Sequence, residues 1–182
     1  MFDIRKIQCN NIYNAVKNES NEEIAKEIVY GKDESSKNES NALWVNSTMK
    51  RLEEKFDKTT VKKIRMNCQC GFGMDKKIEL VKELVKESSS LEELGSLEKA
   101  KEAGLSFKDG HLYLQFNFCP CPMLAEVEKL ESYTWCLCTT GYSKKLFETA
   151  FDCEVDVELI KSIKAGDDIC LMEIIPHGQV WK

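Results

Sequence analysis

A chain of 182 residues with 42% hydrophobic and 31% charged side chains can bury a core without disulfide staples, and its make-up is that of an ordinary soluble globular protein. A net charge of -5, with lysines interleaved among glutamates as in Lys82, Glu83, Lys86 and Glu87, speaks against an electrostatic grip on nucleic acid and describes solvated helix faces instead. The first eleven residues carry charge and amides where a signal peptide needs an apolar run, and no later window approaches the roughly 18 apolar residues of a membrane span, so no membrane partner and a cytoplasmic location are expected.

From the N-terminus, Ile4, Ile7, Ile12, Val16, Ile24 and Ile28 show intermittent helical spacing, and the polar stretch from Gly31 to Asn41 reads as a loop. Leu43, Val45, Met49, Leu52 and Phe56 predict a helix over 42–56 with Asn41 as its N-cap. A second helix is predicted over 75–86 on the stripe Ile78, Val81, Leu84 and Val85, and Ser90 with Glu93 forms a capping box for a helix over 91–103 closed by Gly104. After that glycine the period falls to two. Leu105 to Phe107, Asp109-Gly110 and the alternating Leu112, Leu114, Phe116 and Phe118 predict a β-hairpin. Helix is expected over 123–130, an extended stretch over 133–138, and helix over 143–151. Val155, Val157 and Leu159 then pair with the strand from Ile169 to Ile175 across a turn at Ala165-Gly166-Asp167. The expected fold is α+β, with a mainly helical region over 1–104 and an antiparallel-sheet domain over 105–182 packed with it.

The cysteines carry the strongest chemical signal. Six of the nine fall in three Cys-X-Cys pairs: Cys68 with Cys70, Cys119 with Cys121, and Cys136 with Cys138; Cys170, Cys9 and Cys153 stand apart. In a reducing compartment such thiols stay reduced or bind metal, and an odd count fits a closed disulfide set poorly. On an extended backbone, residues two apart point to the same face at about 6.6 Å. On a helix they diverge by roughly 200°. Pro120 and Pro122 bias Cys119 and Cys121 away from helix, and Gly71-Phe72-Gly73 permits a tight turn after Cys70. Soft thiolates favour zinc or an iron-sulfur cluster, and zinc is the better match because cysteines spaced for a ferredoxin cluster are missing. Two alternatives stand beside metal binding. Buried free cysteines can simply be small hydrophobes, the preferred reading for Cys9 and Cys153. One pair could instead form a strained redox disulfide, although so short a loop departs from preferred geometry.

The segment from Trp135 to Ile174 resembles the 4-vinyl reductase domain. A Cys-X4-Gly step runs from Cys136 to Gly141 ahead of Tyr142-Ser143, Glu158 stands at the acidic position, and Gly166-Asp167-Asp168-Ile169-Cys170 matches the closing step. The same segment is similar to L-2-amino-thiazoline-4-carboxylate hydrolase-like proteins. The resemblance implies a zinc site and a pocket for a small molecule, with Cys136 and Cys170 as ligands. It departs at Ser162, which stands where that family has a cysteine, so Cys138, Cys119 or Cys121 would have to supply the missing thiolate.

The remaining signals are weaker. Trp135, Tyr142 and Phe147, together with Glu158, are candidate pocket residues, with core packing as the competing role for the three aromatics. His111 and His177 lack a placed partner, and no Ser-His-Asp order, phosphate loop or Rossmann glycine pattern occurs. The expected function is a zinc- and small-molecule-binding module with metal ligands among Cys68, Cys70, Cys119, Cys121, Cys136, Cys138 and Cys170. A small-molecule hydrolase using a cysteine or a zinc-activated water, and a thiol-redox or metal-trafficking protein, are the alternatives. A homodimer is compatible with such a domain.

Overall fold

The computed structural model describes residues 3–181. The chain divides into two compact units: unit 1 is built from Met1–Cys70, Cys119–Gly141 and Lys164–Gly166, and unit 2 from Gly71–Phe118, Tyr142–Ile163 and Asp167–Lys182.

Unit 1 is helical. Helices α1 (Ile4–Glu19), α2 (Glu22–Tyr30), α3 (Asn41–Lys55) and α4 (Lys58–Met66) each begin at a side chain that accepts a first-turn N–H: Asp3, Asn21, Ser40 and Asp57. The cap of α3 is thus Ser40, one residue ahead of the expected Asn41. The polar stretch after Gly31 is wound into 3-10 turns over Lys32–Asn38. Helix α4 is not among the expected elements. Its apolar stripe is short, Val61 and Ile64, and the next residue on the buried side is Arg65, which breaks the hydrophobic pattern while being fully enclosed. The core gathers Ile12, Val16, Ala25, Ile28, Trp44, Leu52, Ile64, Leu124 and Trp135, each at most 1% exposed.

Two expectations fail between 122 and 138. Instead of a helix over 123–130 there is one 3-10 turn, Pro122–Leu124, followed by irregular backbone pinned at Leu130, whose N–H donates to Lys164 O at 2.7 Å. Instead of an extended stretch at 133–138 there is a 3-10 turn at Thr134–Cys136 that runs into helix α8 (Leu137–Phe151). Cys136 and Cys138 are buried on either side of a less buried Leu137, as a strand would place them. Tertiary packing buries both thiols on helical backbone instead, which hydropathy alone does not distinguish from a strand.

Unit 2 carries the sheet. Helices α5 (Met74–Lys86), α6 (Leu91–Ser96) and α7 (Glu98–Glu102) precede strands β1 (Leu105–Lys108) and β2 (His111–Phe116), with β3 (Val155–Lys161) and β4 (Cys170–Pro176) at the C-terminal end. The four strands are antiparallel in the order β1-β2-β4-β3. The predicted helix over 91–103 is two short helices broken at Leu97, whose extended backbone (φ -62°, ψ 140°) interrupts the winding. The Asp109-Gly110 turn has both residues at positive φ, 52° and 88°, which matches the twist of a two-residue hairpin. The inner sheet face, with Leu105, Leu112, Val157, Met172 and Ile174, packs with Leu84, Leu94, Phe147 and Phe151 into one core. Mixed helix and antiparallel sheet is therefore the observed class. Among the described residues no helix is long and apolar enough to cross a membrane.

One glycine is decisive for the approach of α8 to α4. A Cβ at Gly141, in the first turns of α8, would overlap the carbonyl of Met66 at the end of α4. This backbone contact sets Cys138 beside Cys68. Gly141→Ala should therefore cost about 3 kcal/mol, since neither backbone can yield as a side chain would. A urea unfolding midpoint equal to that of the parent would contradict this.

Candidate functional site

The end of α4, the loop after it, the turn before α8 and the Cys119–Leu124 segment meet in unit 1, and α1 packs on them. Cys68 and Cys70 follow α4 on non-helical backbone, and Cys119 and Cys121 lie on the extended segment that Pro120 and Pro122 impose. Cys136 closes a 3-10 turn and Cys138 lies in α8, so the third pair diverges along a helical backbone and does not present both thiols to one face.

Within this region two of the thiols are hydrogen-bonded to carbonyls. The Cys138 thiol donates to Cys68 O at 3.1 Å, and the Cys68 thiol donates to Ile64 O at 3.1 Å. Gln8, buried on α1, donates through Nε2 to Cys68 O at 3.3 Å and lies 3.6 Å from Cys138 Sγ. Asn11 of the same helix donates to Gln69 O at 3.0 Å. The post-α4 loop is thus held against α1 by side-chain amides.

Arg65 lies among these sulfurs. It is fully buried, its guanidinium carbon is 4.5 Å from the centroid of the Trp135 ring, and its Nη2 donates to Trp135 O at 3.0 Å. Trp135 in turn meets Trp44 edge-on at 5.7 Å. Among the described residues, five buried side-chain nitrogen or oxygen atoms make no hydrogen bond: Gln8 Oε1, Arg65 Nε, Arg65 Nη1, Trp135 Nε1 and Ser36 Oγ. Four of the five belong to the residues around Cys68, Cys121 and Cys138. Native interiors seldom leave such groups unpaired, so their concentration at one place marks it.

Burial dominates the thiols' acidity. It pushes Cys138 up to about 12, with Arg65 the strongest influence in the opposite direction and Cys68 and Cys121 both adding to the rise. Burial likewise raises Cys68, against the pull of Arg65, and raises Cys121, against the pull of the Trp135 indole N–H. Arg65 and Trp135 are close enough to favour these thiolates, although Arg65 Nε, Arg65 Nη1 and Trp135 Nε1 make no hydrogen bond of ordinary geometry. The thiols are consequently protonated at neutral pH. As they stand, no three His, Cys, Asp or Glu side chains among the described residues are arranged to hold a metal ion.

The other sequence-derived candidates fall elsewhere. Cys170 belongs to unit 2, on the inner face of β4, where its sulfur accepts from Ile163 N at 3.5 Å. The neighbouring Ser162 is also buried and its N–H donates to Asp167 Oδ2 at 2.7 Å. Tyr142 is buried in unit 2, donating its hydroxyl to Phe72 O at 2.9 Å beneath the Lys77 ammonium, and Glu158 on β3 faces Glu173 of β4. His177 pairs with Asp156 at 2.8 Å, and His111 with Glu173, both on the surface of unit 2. Sequence reasoning missed Arg65, Gln8 and Asn11. A signal for two of them existed: Gln8, Ile12, Ala15 and Val16 form one helical stripe, and Val61, Ile64, Arg65 and Cys68 form another, each with a polar residue inside it.

The raised thiols bear on stability. A thiol held at about 12 when folded, against an ordinary value of 9.0, contributes stability that is fully present below pH 9 and is lost as pH rises toward 12, because the unfolded chain ionises first. The urea midpoint should fall steadily above pH 9, and less steeply in Cys138→Ala. Parallel curves for the two proteins would refute the assignment.

Against known proteins, the chain finds no match among curated sequences. A family model described as a family of unknown function, DUF6144, matches residues 1–181, and the chain belongs to that family.

Proposed function

We propose that this chain is a cysteine-rich binding protein whose working centre is in unit 1, where Cys68, Cys121 and Cys138 take a thiophilic metal ion, zinc foremost. The observation that carries the reading is that buried N–H groups of Arg65 and Trp135, without a hydrogen bond of ordinary geometry, lie within reach of the Cys68 and Cys121 sulfurs, with Cys138 beside them. Protonated thiols give such donors little to bind. Metal-bound thiolates are negatively charged acceptors, and N–H donors around them are what outer-shell support of a metal site consists of. Two of the three thiols, Cys68 and Cys138, are turned onto carbonyls, bonds that only a protonated sulfur can donate. Loss of those protons removes the reason for that orientation, so metal binding and a local rearrangement belong together.

A small-molecule role alongside the metal is what the resemblance of residues 135–174 to the 4-vinyl reductase domain implies, with Glu158 at its acidic position, while Trp135 and Tyr142 are pocket candidates as aromatics. Cys70, Cys119, Cys136 and Cys170 are the further thiols that the cysteine pattern and that resemblance nominate. The hydrolase alternative is weaker for Cys138. With its thiol at about 12, the nucleophilic thiolate is a negligible fraction at neutral pH.

The test is metal analysis of protein purified without chelator, followed by zinc titration of chelated protein against a competing chromophore. About one ion per chain is expected, with affinity reduced at least tenfold in Cys138→Ser, as loss of a direct ligand should exceed loss of a supporting group. Cys153→Ala, in unit 2, should bind as the parent does. Protein that neither retains metal nor binds added zinc would sink the reading.

A further inference from the structure

We propose that the groove between α1 and α4 is a binding site for a small neutral polyhydroxylated molecule, a monosaccharide or a cyclic polyol, held by the carboxamides of Asn11, Asn14, Asn18 and Asn67. The site lies within unit 1 and uses none of the thiols, so it stands or falls apart from the metal reading.

The groove holds a cavity of about 190 Å³. Its apolar lining is Ala15 and Ile64, which are 9% and 1% exposed, and its polar lining is the four asparagines with Glu19. Asn11, Asn14 and Asn18 stand at i, i+3 and i+7 of α1 and so share one face, and Asn67 joins them from the C-cap of α4. Helix stability does not account for three asparagines on that face. Asparagine is among the poorer helix formers, because its amide competes for backbone groups. Solvated helix faces elsewhere in the chain are built from lysine and glutamate, as at Lys82, Glu83, Lys86 and Glu87.

The unused hydrogen-bonding groups select the ligand. Asn11 donates from Nδ2 to Gln69 O at 3.0 Å and to Cys68 O at 3.5 Å, and Asn67 donates from Nδ2 to Lys63 O at 3.0 Å. Both keep their Oδ1 for an outside donor. The Asn14 and Asn18 side chains bond to no other described residue, so each offers a carbonyl and an NH2 group. Glu19 is already paired, with Oε1 at 2.7 Å from the Lys63 ammonium, which leaves the lining without an uncompensated charge. An anion only accepts, and would leave the four amide carbonyls without donors. A cation only donates, and would leave the NH2 groups without acceptors. A hydroxyl does both. A ring bearing several hydroxyls therefore answers both halves of the lining, while its C–H face rests on Ala15 and Ile64. The size agrees as well: a cavity of about 150 Å³ accepts benzene, so one of about 190 Å³ admits a single substituted six-membered ring.

The experiment titrates the full chain with D-glucose, D-galactose, D-mannose and myo-inositol, following the side-chain NH2 signals by NMR, with glucosamine, glucuronate and adenine as charged and planar probes. At least one of the four neutral compounds should bind with a dissociation constant of about 1 mM, the scale open to so small a ligand, and should shift the Asn14 and Asn18 signals. The double variant Asn14→Ala/Asn18→Ala should bind at least tenfold more weakly. It should also unfold in urea no earlier than the parent, since alanine is the better helix former. A face that is merely solvated would show that stability without any change in binding.

Four results overturn the proposal. One is the absence of binding by any neutral polyol at about 50 mM, well above the expected constant. Another is unchanged affinity in the double variant, which moves the binding elsewhere. Tighter binding of a charged probe or of adenine than of every neutral polyol rejects the ligand class. Earlier unfolding of the double variant assigns the asparagines a structural role instead.

Discussion

The arrangement of unit 1 depends on how a cation is kept inside it. Arg65 is the one fully buried charged side chain among the described residues, and Trp135 holds it twice, through its ring face and through its carbonyl. That grip ties α4 to the turn before α8. Trp44 on α3 then packs edge-on against Trp135, and Arg5 of α1 lies 5.1 Å over the Trp44 ring, so α1, α3, α4 and that turn are linked by two aromatic rings between two guanidinium groups. Each cation-π contact contributes on the order of 1 kcal/mol when partly desolvated. The larger consequence is positional, because a cation placed there opposes the effect of burial on the Cys68 and Cys138 thiols.

The thiols reach that position by backbone constraints rather than by affinity for one another. Gly141 lets α8 approach the end of α4, the two prolines keep Cys119 and Cys121 extended, and the amides of Gln8 and Asn11 hold the Cys68–Gln69 carbonyls. Burial then outweighs Arg65 in deciding protonation, leaving neutral thiols bonded to carbonyls. Two opposing effects of similar kind meet here: low polarity favours the uncharged sulfur, and the guanidinium favours the charged one. An added positive ion would shift that balance toward the thiolates.

Unit 2 is organised by a different principle. Its sheet sets Leu112, Val157, Met172 and Ile174 inward and charged residues such as Glu158 and Glu173 outward, with a register shift in β3 between Leu159 and Lys161. Its ionisable pairs are surface pairs: Lys161 with Asp168, Lys99 with Glu87, and the two histidine-carboxylate contacts. Such pairs contribute little to stability and do not enclose a polar centre. The concentration of unpaired buried polar atoms in unit 1 is therefore a local feature and not a general looseness of the fold.

As a string of residues, the chain is informative where one face of an element is wet. The stripes of α3 and α5, the Ser90 cap, the Asp-Gly hairpin and the β3–β4 pair all follow from period and turn chemistry, because alternation against solvent leaves a local record. The same string hides α4 and misleads over 123–138. There, burial on several sides erases the period, and Arg65 reads as solvent-facing when it is fully enclosed. The three Cys-X-Cys pairs are legible as chemistry, and the extended backbone at Cys119 and Cys121 follows from proline alone. Which thiols share a neighbourhood is not legible. Only the tertiary structure sets Cys68 and Cys138 near Arg65, brings Cys121 against Trp135 and assigns Cys170 to another unit, because such proximity arises from contacts as far as 130 residues apart in sequence, as between Gln8 and Cys138. Local spacing fixes the direction of a side chain, but its electrostatic surroundings are set by whatever the rest of the fold brings against it.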